Sequence, residues 1–224
     1  MKLGVDKDIA WITAYTGSRI AYMCQRRVMN FAINKERLTR FGLLGLMAID
    51  YKKPVKVISE DEKFMKAALA QAKKAAAIDE VPIGCVIVKD GKVIARAFNR
   101  RESTQQSIAH AEILAIQKAC KKLKSWRLDG CDLYVTLEPC PMCAGAILQS
   151  RIRKVYYGAS DPKGGSIESC MKMYKTSGFN HYPEVEAGLM KEECANMLRN
   201  FFRIKRIQKK AIQAKKTDIE EGHC

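Results

Sequence analysis

Two short segments of this chain hold the residue types that bind metals and move protons: His110-Ala111-Glu112 and Pro139-Cys140-Pro141-Met142-Cys143. One imidazole and two thiolates are soft or borderline donors, a set that suits zinc better than calcium or magnesium. Cys140 and Cys143 stand about one helical turn apart, so a helix starting there aims both sulfurs the same way. The helix terminus also favours their thiolate form through free N–H groups and a partial positive charge. Three protein ligands leave the fourth tetrahedral position open to water, as in a catalytic zinc site; a structural site closes all four. Water held there has a pKa of about 7 and supplies hydroxide at neutral pH. Glu112 lies two residues past His110, projects differently, and is free to carry protons.

Each part alone has a plainer reading. Cys140-x-x-Cys143 reads as a redox dithiol, His110 as a satisfied polar residue, and Glu112 as a carboxylate drawn to a helix start. Together they form the His-x-Glu and Pro-Cys-x-x-Cys pairing known as the zinc-deaminase signature, in which the Glu carries protons and is not a ligand.

These residues need elements to bring them together. Ser59 and Glu62 form a capping box, and Phe64, Ala68, Leu69, Ala72 and Ala76 then share one face of a helix ending near Ile78. Ile83 to Lys89 and Val93 to Phe98 read as a hairpin on Asp90-Gly91. Residues 108–124 read as a helix with Ile113, Leu114, Ile116, Cys120 and Leu123 on its apolar side. Cys131 to Leu137 is a third strand, residues 141–150 a helix opened by Pro141, Val155 to Ala159 a fourth strand, and Pro183 to Ala187 a short fifth. Residues 189–216 read as a long basic helix whose stripe of Met190, Cys194, Met197, Phe201 and Ile204 suits core packing. Strands alternating with helices after the hairpin imply an α/β fold, with a mixed sheet covered on both faces.

From about residue 60 to residue 210 the chain resembles the bacterial tRNA-specific adenosine deaminases. The matching runs are Val81-Pro82-Ile83-Gly84, Asn99-Arg100, His110-Ala111-Glu112, Tyr134 through Gly145, Ser150-Arg151-Ile152, Gly158-Ala159-Ser160-Asp161 and Asn200-Phe201-Phe202-Arg203. Several lie outside the zinc motif. The resemblance implies a three-layer α/β/α cytidine deaminase-like fold with a mixed five-stranded sheet, a homodimer and one zinc ion per subunit. It implies hydrolysis of adenosine to inosine at the wobble position of a tRNA anticodon. His110, Cys140 and Cys143 would hold the metal, and Glu112 would shuttle protons between water, ring N1 and the departing amine. The implied partner is the anticodon stem-loop, with tRNA-Arg bearing an ACG anticodon as the expected substrate.

By the same resemblance Asn99 recognises the flipped-out adenine, with Ile83 as a pocket wall, Ala111 offering a backbone amide and Asp161 near the nucleoside. Phe201, Phe202 and Arg203 would contact the anticodon loop. The alternatives are a turn-capping amide for Asn99, an ordinary core residue for Ile83, a solvated carboxylate for Asp161 and a solvated basic helix end for the last trio.

Composition sets the outer bounds. The 224 residues carry a formal net charge of +16, which favours a polyanionic partner, nucleic acid ahead of a membrane surface. The longest apolar run, Phe41 to Ile49, is about half a membrane span. Asp6 and Asp8 interrupt any secretory signal, and nine thinly spread cysteines suit a reducing cytoplasm. Residues 1–58 form a basic extension with no counterpart in the resembled family. They read as flexible or accessory, as a nucleic-acid arm, or as a segment upstream of the native start. Residues 59–216 would be the deaminase domain and 217–224 a tail. The rival functions are a small-molecule guanine or cytosine deaminase, and a zinc-stabilised RNA-binding module without catalysis.

Overall fold

The computed structural model describes residues 58–221, so the reading of residues 1–58 as an extension lies, but for its last residue, outside the described residues. The first helix, α1, spans Glu60–Ala77, and Ser59 Oγ accepts from the Glu62 N–H at 3.1 Å as its cap. Its buried face is Met65, Ala68, Leu69, Ala72 and Ala75, turned slightly from the expected one; Ala76 is exposed and Phe64 half-buried. The reason is close backbone approach. A Cβ on Gly84 would lie 2.1 Å from the Ala68 carbonyl oxygen and 2.4 Å from the Ala72 nitrogen, so the helix backbone itself rests on the first strand.

That strand, β1 (Gly84–Lys89), turns back into β2 (Lys92–Phe98) through Asp90 and Gly91, which have φ of 49° and 68°. Both positive angles match the twist of a two-residue hairpin. A four-residue helix, α2 (Arg101–Thr104), follows and was not legible in the sequence. Then come α3 (Ala111–Leu123), β3 (Cys131–Leu137), α4 (Pro141–Gln149), β4 (Lys154–Ala159), β5 (Glu184–Ala187) and α5 (Lys191–Glu221). The helix α5 thus runs five residues past the expected 216.

The five strands form one mixed sheet in the order β2-β1-β3-β4-β5. β1 is antiparallel to both neighbours, while β3, β4 and β5 run parallel. Alternate side chains sort into two cores. Cys85, Ile87, Leu133 and Val135 face α3 and α4; Val86, Val88, Tyr134 and Tyr156 face α1 and α5. The expected three layers, with helices on both faces, are therefore present.

The buried side of α3 differs in part from the expected one. Ala111, Ala115 and Ala119 join the expected Ile116 as its most buried residues; Leu114, Cys120 and Leu123 pack against the same core partly buried, and Ile113 is half-buried. Three small residues let the helix lie close to the sheet, and the larger ones flank that contact. The α5 stripe packs only in its first half: Cys194 is 1% exposed but Ile204 is 51% exposed, because the helix has by then run past the sheet.

Since β1 alone is reversed, its beginning lies at the same sheet edge as the ends of β2, β3 and β4. Ile83, Asn99, Glu138 and Ser160 each adjoin that edge. The Asn99 N–H donates to the Ile83 carbonyl at 3.0 Å, and the Arg100 N–H to the Ala109 carbonyl at 3.0 Å, tying the loops to one another.

The α1–β1 contact makes the first prediction. Gly84→Ala should lower stability by about 3 kcal/mol or more, because backbone atoms cannot move aside as a side chain can. Denaturant unfolding measures it, and an unchanged midpoint would contradict the close approach.

Candidate active site

Two helices begin at the edge where the strand ends gather. His110 is the N-cap of α3, extended at φ −76° and ψ 152°, and Cys140 is the N-cap of α4 at φ −71° and ψ 171°. Pro141 starts α4 without loss, since the first helical N–H has no partner within the helix. Cys143 lies in the same first turn and is fully buried. The two helix starts thus aim an imidazole and two sulfurs at one point, with partial positive charge behind each.

His110 Nδ1 lies 3.5 Å from Cys143 Sγ and 3.7 Å from Cys140 Sγ. One donor atom from each of the three residues falls within 4.8 Å of the others, the one such group of three among the described residues. Tetrahedral zinc bonds imply donor separations of about 3.5–3.8 Å, so both nitrogen–sulfur separations suit a shared metal.

The electrostatics agree with that fit. Hydrogen bonding from Cys143, followed by His110, holds the Cys140 thiol down to about 4. The same contact with Cys140, then burial and the charge of Glu112, pushes Cys143 up. The bond to Cys140 raises His110. Burial is the main cause that raises Glu112, which is 4% exposed. Thiolates and a carboxylate converge with little room for negative charge, a conflict that a divalent cation resolves. Among the described residues, Glu112 Oε2 is the one buried side-chain polar atom without a hydrogen-bond partner.

A cavity of about 590 Å³ opens onto His110. Of the residues predicted for the site, Ile83, Asn99, Asp161 and Phe202 line it together with His110. Ala111 buries its methyl group in the core, so whatever it lends the site comes from its backbone. The expected trio at the end of α5 is divided. Phe202 is 44% exposed and reaches the cavity, while Arg203 faces the adjoining surface beside Arg199 and Arg206. Phe201 does not reach the cavity; it lines a separate groove with Ala76, Asp79 and Ile204. Sequence reasoning missed Arg101 and Lys163 on the cavity wall.

It also missed two buried carboxylates that hold the surrounding loops. Glu138, 2% exposed, accepts from the N–H groups of Asp161 (3.1 Å), Ile167 (3.2 Å), Glu168 (2.8 Å) and Ser169 (2.9 Å), and from the Ser169 hydroxyl. Burial opposes its ionisation, but the Ser169 hydroxyl and the loop N–H groups outweigh it and hold the carboxyl below the usual range. This one side chain joins the turn that carries Cys140 to the loop that carries Asp161. Its one sequence signal is an acidic residue ending an apolar strand. The other, Glu80, accepts from Asn99 Nδ2 at 3.0 Å, nineteen residues along the chain, and no local pattern announces that pairing.

Comparison with known proteins agrees with this geometry. A family model described as MafB19-like deaminase matches residues 59–206. The tRNA-specific adenosine deaminase of Bacillus subtilis (strain 168) is 55% identical over 156 residues, which covers 70% of this chain and 97% of that one. A structure solved in work on A-to-I editing by tRNA:A34 deaminases at the wobble position of transfer RNA has a TM-score of 0.59 at 51% identity. The match covers 61% of this chain and 99% of that one. The guanine deaminase of Nitrosomonas europaea has a TM-score of 0.56 at 25% identity, covering 71% of this chain and 93% of its own.

The Glu138 cradle can be tested directly. Glu138→Gln places an NH2 group among N–H donors and should cost about 3 kcal/mol of stability. It should also expose the loop of residues 160–170 to limited proteolysis. A variant as stable and as resistant as the parent would show that the cradle holds nothing.

Proposed function

The chain belongs to the MafB19-like deaminase family, with tRNA-specific adenosine deaminases among its relatives, and from this premise we propose that it hydrolyses adenosine to inosine at the A34 wobble position of tRNA. One nitrogen and two sulfurs suit zinc; His110, Cys140 and Cys143 would hold that ion, which would supply Lewis acidity. The reaction adds water at C6 of the base and expels ammonia: a C6–O bond forms and the C6–N6 bond breaks. One proton of the water must pass to ring N1, where it stays, and the other to the departing amine. Glu112 moves them. The observation that carries this role is its buried Oε2, an oxygen without a hydrogen-bond partner on a carboxylate that feels Cys140, His110 and Cys143.

Asn99 holds the base by its hydrogen-bonding edge, Ile83 forms the apolar wall, Ala111 offers its backbone N–H and Asp161 meets the nucleoside. Phe202, at the cavity rim, stacks on a base of the anticodon loop, while Arg203, Arg199 and Arg206 beside it neutralise phosphates. Phe201 acts through its neighbour; its ring meets Phe202 edge-on with centroids 5.4 Å apart. We extend the reading to a cytoplasmic homodimer acting on the anticodon stem-loop of tRNA-Arg with an ACG anticodon.

The sheet and helices are shared with a guanine deaminase, so the fold does not choose between RNA and a free base. The net charge of +16 and the exposed basic side of α5 next to the cavity favour RNA, since a small neutral base needs neither.

Zinc-loaded protein should release ammonia and form inosine from unmodified tRNA with a wobble adenosine. It should leave free adenine, guanine, cytosine and their nucleosides unchanged; turnover of a free base with none on RNA would reverse the assignment. Glu112→Ala should keep its metal and its RNA affinity but show no turnover, because Glu112 is not a ligand. Substantial retained activity would remove it from the mechanism. RNA affinity should fall by about tenfold or more between 50 and 200 mM salt, as phosphate contacts require.

A further inference from the structure

The amide assigned to the base, Asn99, is held by a carboxylate that the reaction leaves unused. Glu80 is fully buried, and among the described residues no Lys, Arg or His pairs with it. A buried carboxylate without a cation costs free energy. Both its oxygens are nonetheless occupied: Oε2 accepts from Asn99 Nδ2 at 3.0 Å, and Oε1 from the Ser103 N–H at 2.6 Å.

An Asn side chain has one accepting and one donating end of nearly the same shape, so packing alone does not decide which end meets a ligand. A carboxylate offers only acceptors and therefore admits only the NH2 end. The reversed amide would set two oxygens against each other at 3.0 Å. Asn99 lines the cavity, and among the described residues no donor meets its Oδ1. Nor is that oxygen a buried orphan, a condition found among them only at Glu112 Oε2. The bond to Ser103 meanwhile pins α2, which carries Arg101 on the cavity wall.

We infer that Glu80 is a positioning residue: it locks the Asn99 amide with the carbonyl turned to the cavity, so that the base is held in one orientation. The inference rests on the deaminase reading above. An amide free to reverse would accept the base in two poses, of which only one brings C6 to the metal-binding side chains and Glu112.

Steady-state kinetics of the zinc-loaded protein on a wobble-adenosine stem-loop test it, with Glu80→Gln, Asn99→Ala and the double variant. Glu80→Gln puts an NH2 group where Oε2 was and turns Asn99 around. The expected loss in kcat is about 10- to 100-fold, the effect of one mis-set buried hydrogen bond. KM should stay within about threefold, because phosphate contacts elsewhere carry RNA affinity. In the Asn99→Ala background the same change should lower kcat by less than about twofold, since the two residues act as one unit.

A swapped pair, Glu80→Gln with Asn99→Asp, keeps a donor facing an acceptor and returns an oxygen to the cavity. Its kcat should recover to within about tenfold of the parent, and it decides the matter alone if Glu80→Gln does not fold. A kcat loss under tenfold in Glu80→Gln, independent losses in the double variant, or a swapped pair no better than Asn99→Ala would each overturn the inference. A parent protein that forms no inosine in RNA would instead overturn the deaminase reading.

Discussion

The start of a helix tolerates negative charge, and two helix starts at one point tolerate more of it than either alone. The site depends on that convergence. His110 and Cys140 are both N-caps, and neither side chain bonds back to its own helix, so each stays available to the shared site. If either helix began one residue earlier or later, the side chain at its start would rotate by about 100° and face the sheet or the solvent. Pro141 removes that freedom for α4, and the bond from Arg100 to Ala109 places the approach to α3.

Close packing makes the convergence stable. The helices α1 and α3 meet the sheet through alanines, with Ala68 and Ala72 over Gly84 on one face and Ala111, Ala115 and Ala119 on the other. Small side chains leave little slack, so a shift of helix against sheet meets backbone rather than a flexible side chain. Strand direction does the rest. With β1 reversed between β2 and β3, four loops emerge along one edge, the usual place for ligands in open α/β sheets.

The loops at that edge anchor a few apolar side chains in the core, Ile167 among them, and buried carboxylates organise the backbone around these anchors. Glu138 gathers four N–H groups and a hydroxyl from residues 161–169, and Glu80 holds Asn99 and Ser103. In each case a charge removed from water is compensated by donors that would otherwise be unpaired themselves. Cavity shape therefore depends on polar networks, while the surrounding body depends on apolar burial.

Most strands and helices were readable from the chain because hydrophobic alternation, caps and turn residues are local properties. Ser59, Asp90-Gly91 and Pro141 each mark an element end through backbone chemistry alone. That His110, Cys140 and Cys143 would gather beside Glu112 was readable too, since their types suggest one chemistry and Cys140 and Cys143 fall within a single helical turn. The line of alanines that α3 presses closest to the sheet was not readable: Ile113 and Leu114 are more hydrophobic than Ala111, Ala115 and Ala119 yet flank them, and only the distance to the sheet explains it. Nor was the separation of Phe201 from Phe202, because adjacent helical residues point about 100° apart and only the body's outline decides which one meets the cavity. The partners of Glu80 and Glu138 were hidden for the same reason, since a carboxylate's partners are set by where distant loops arrive. Local backbone preference and ligand chemistry were thus written in the order of the residues. Burial, orientation and pairing across the sheet edge arose only when the folded chain brought remote segments within bonding distance.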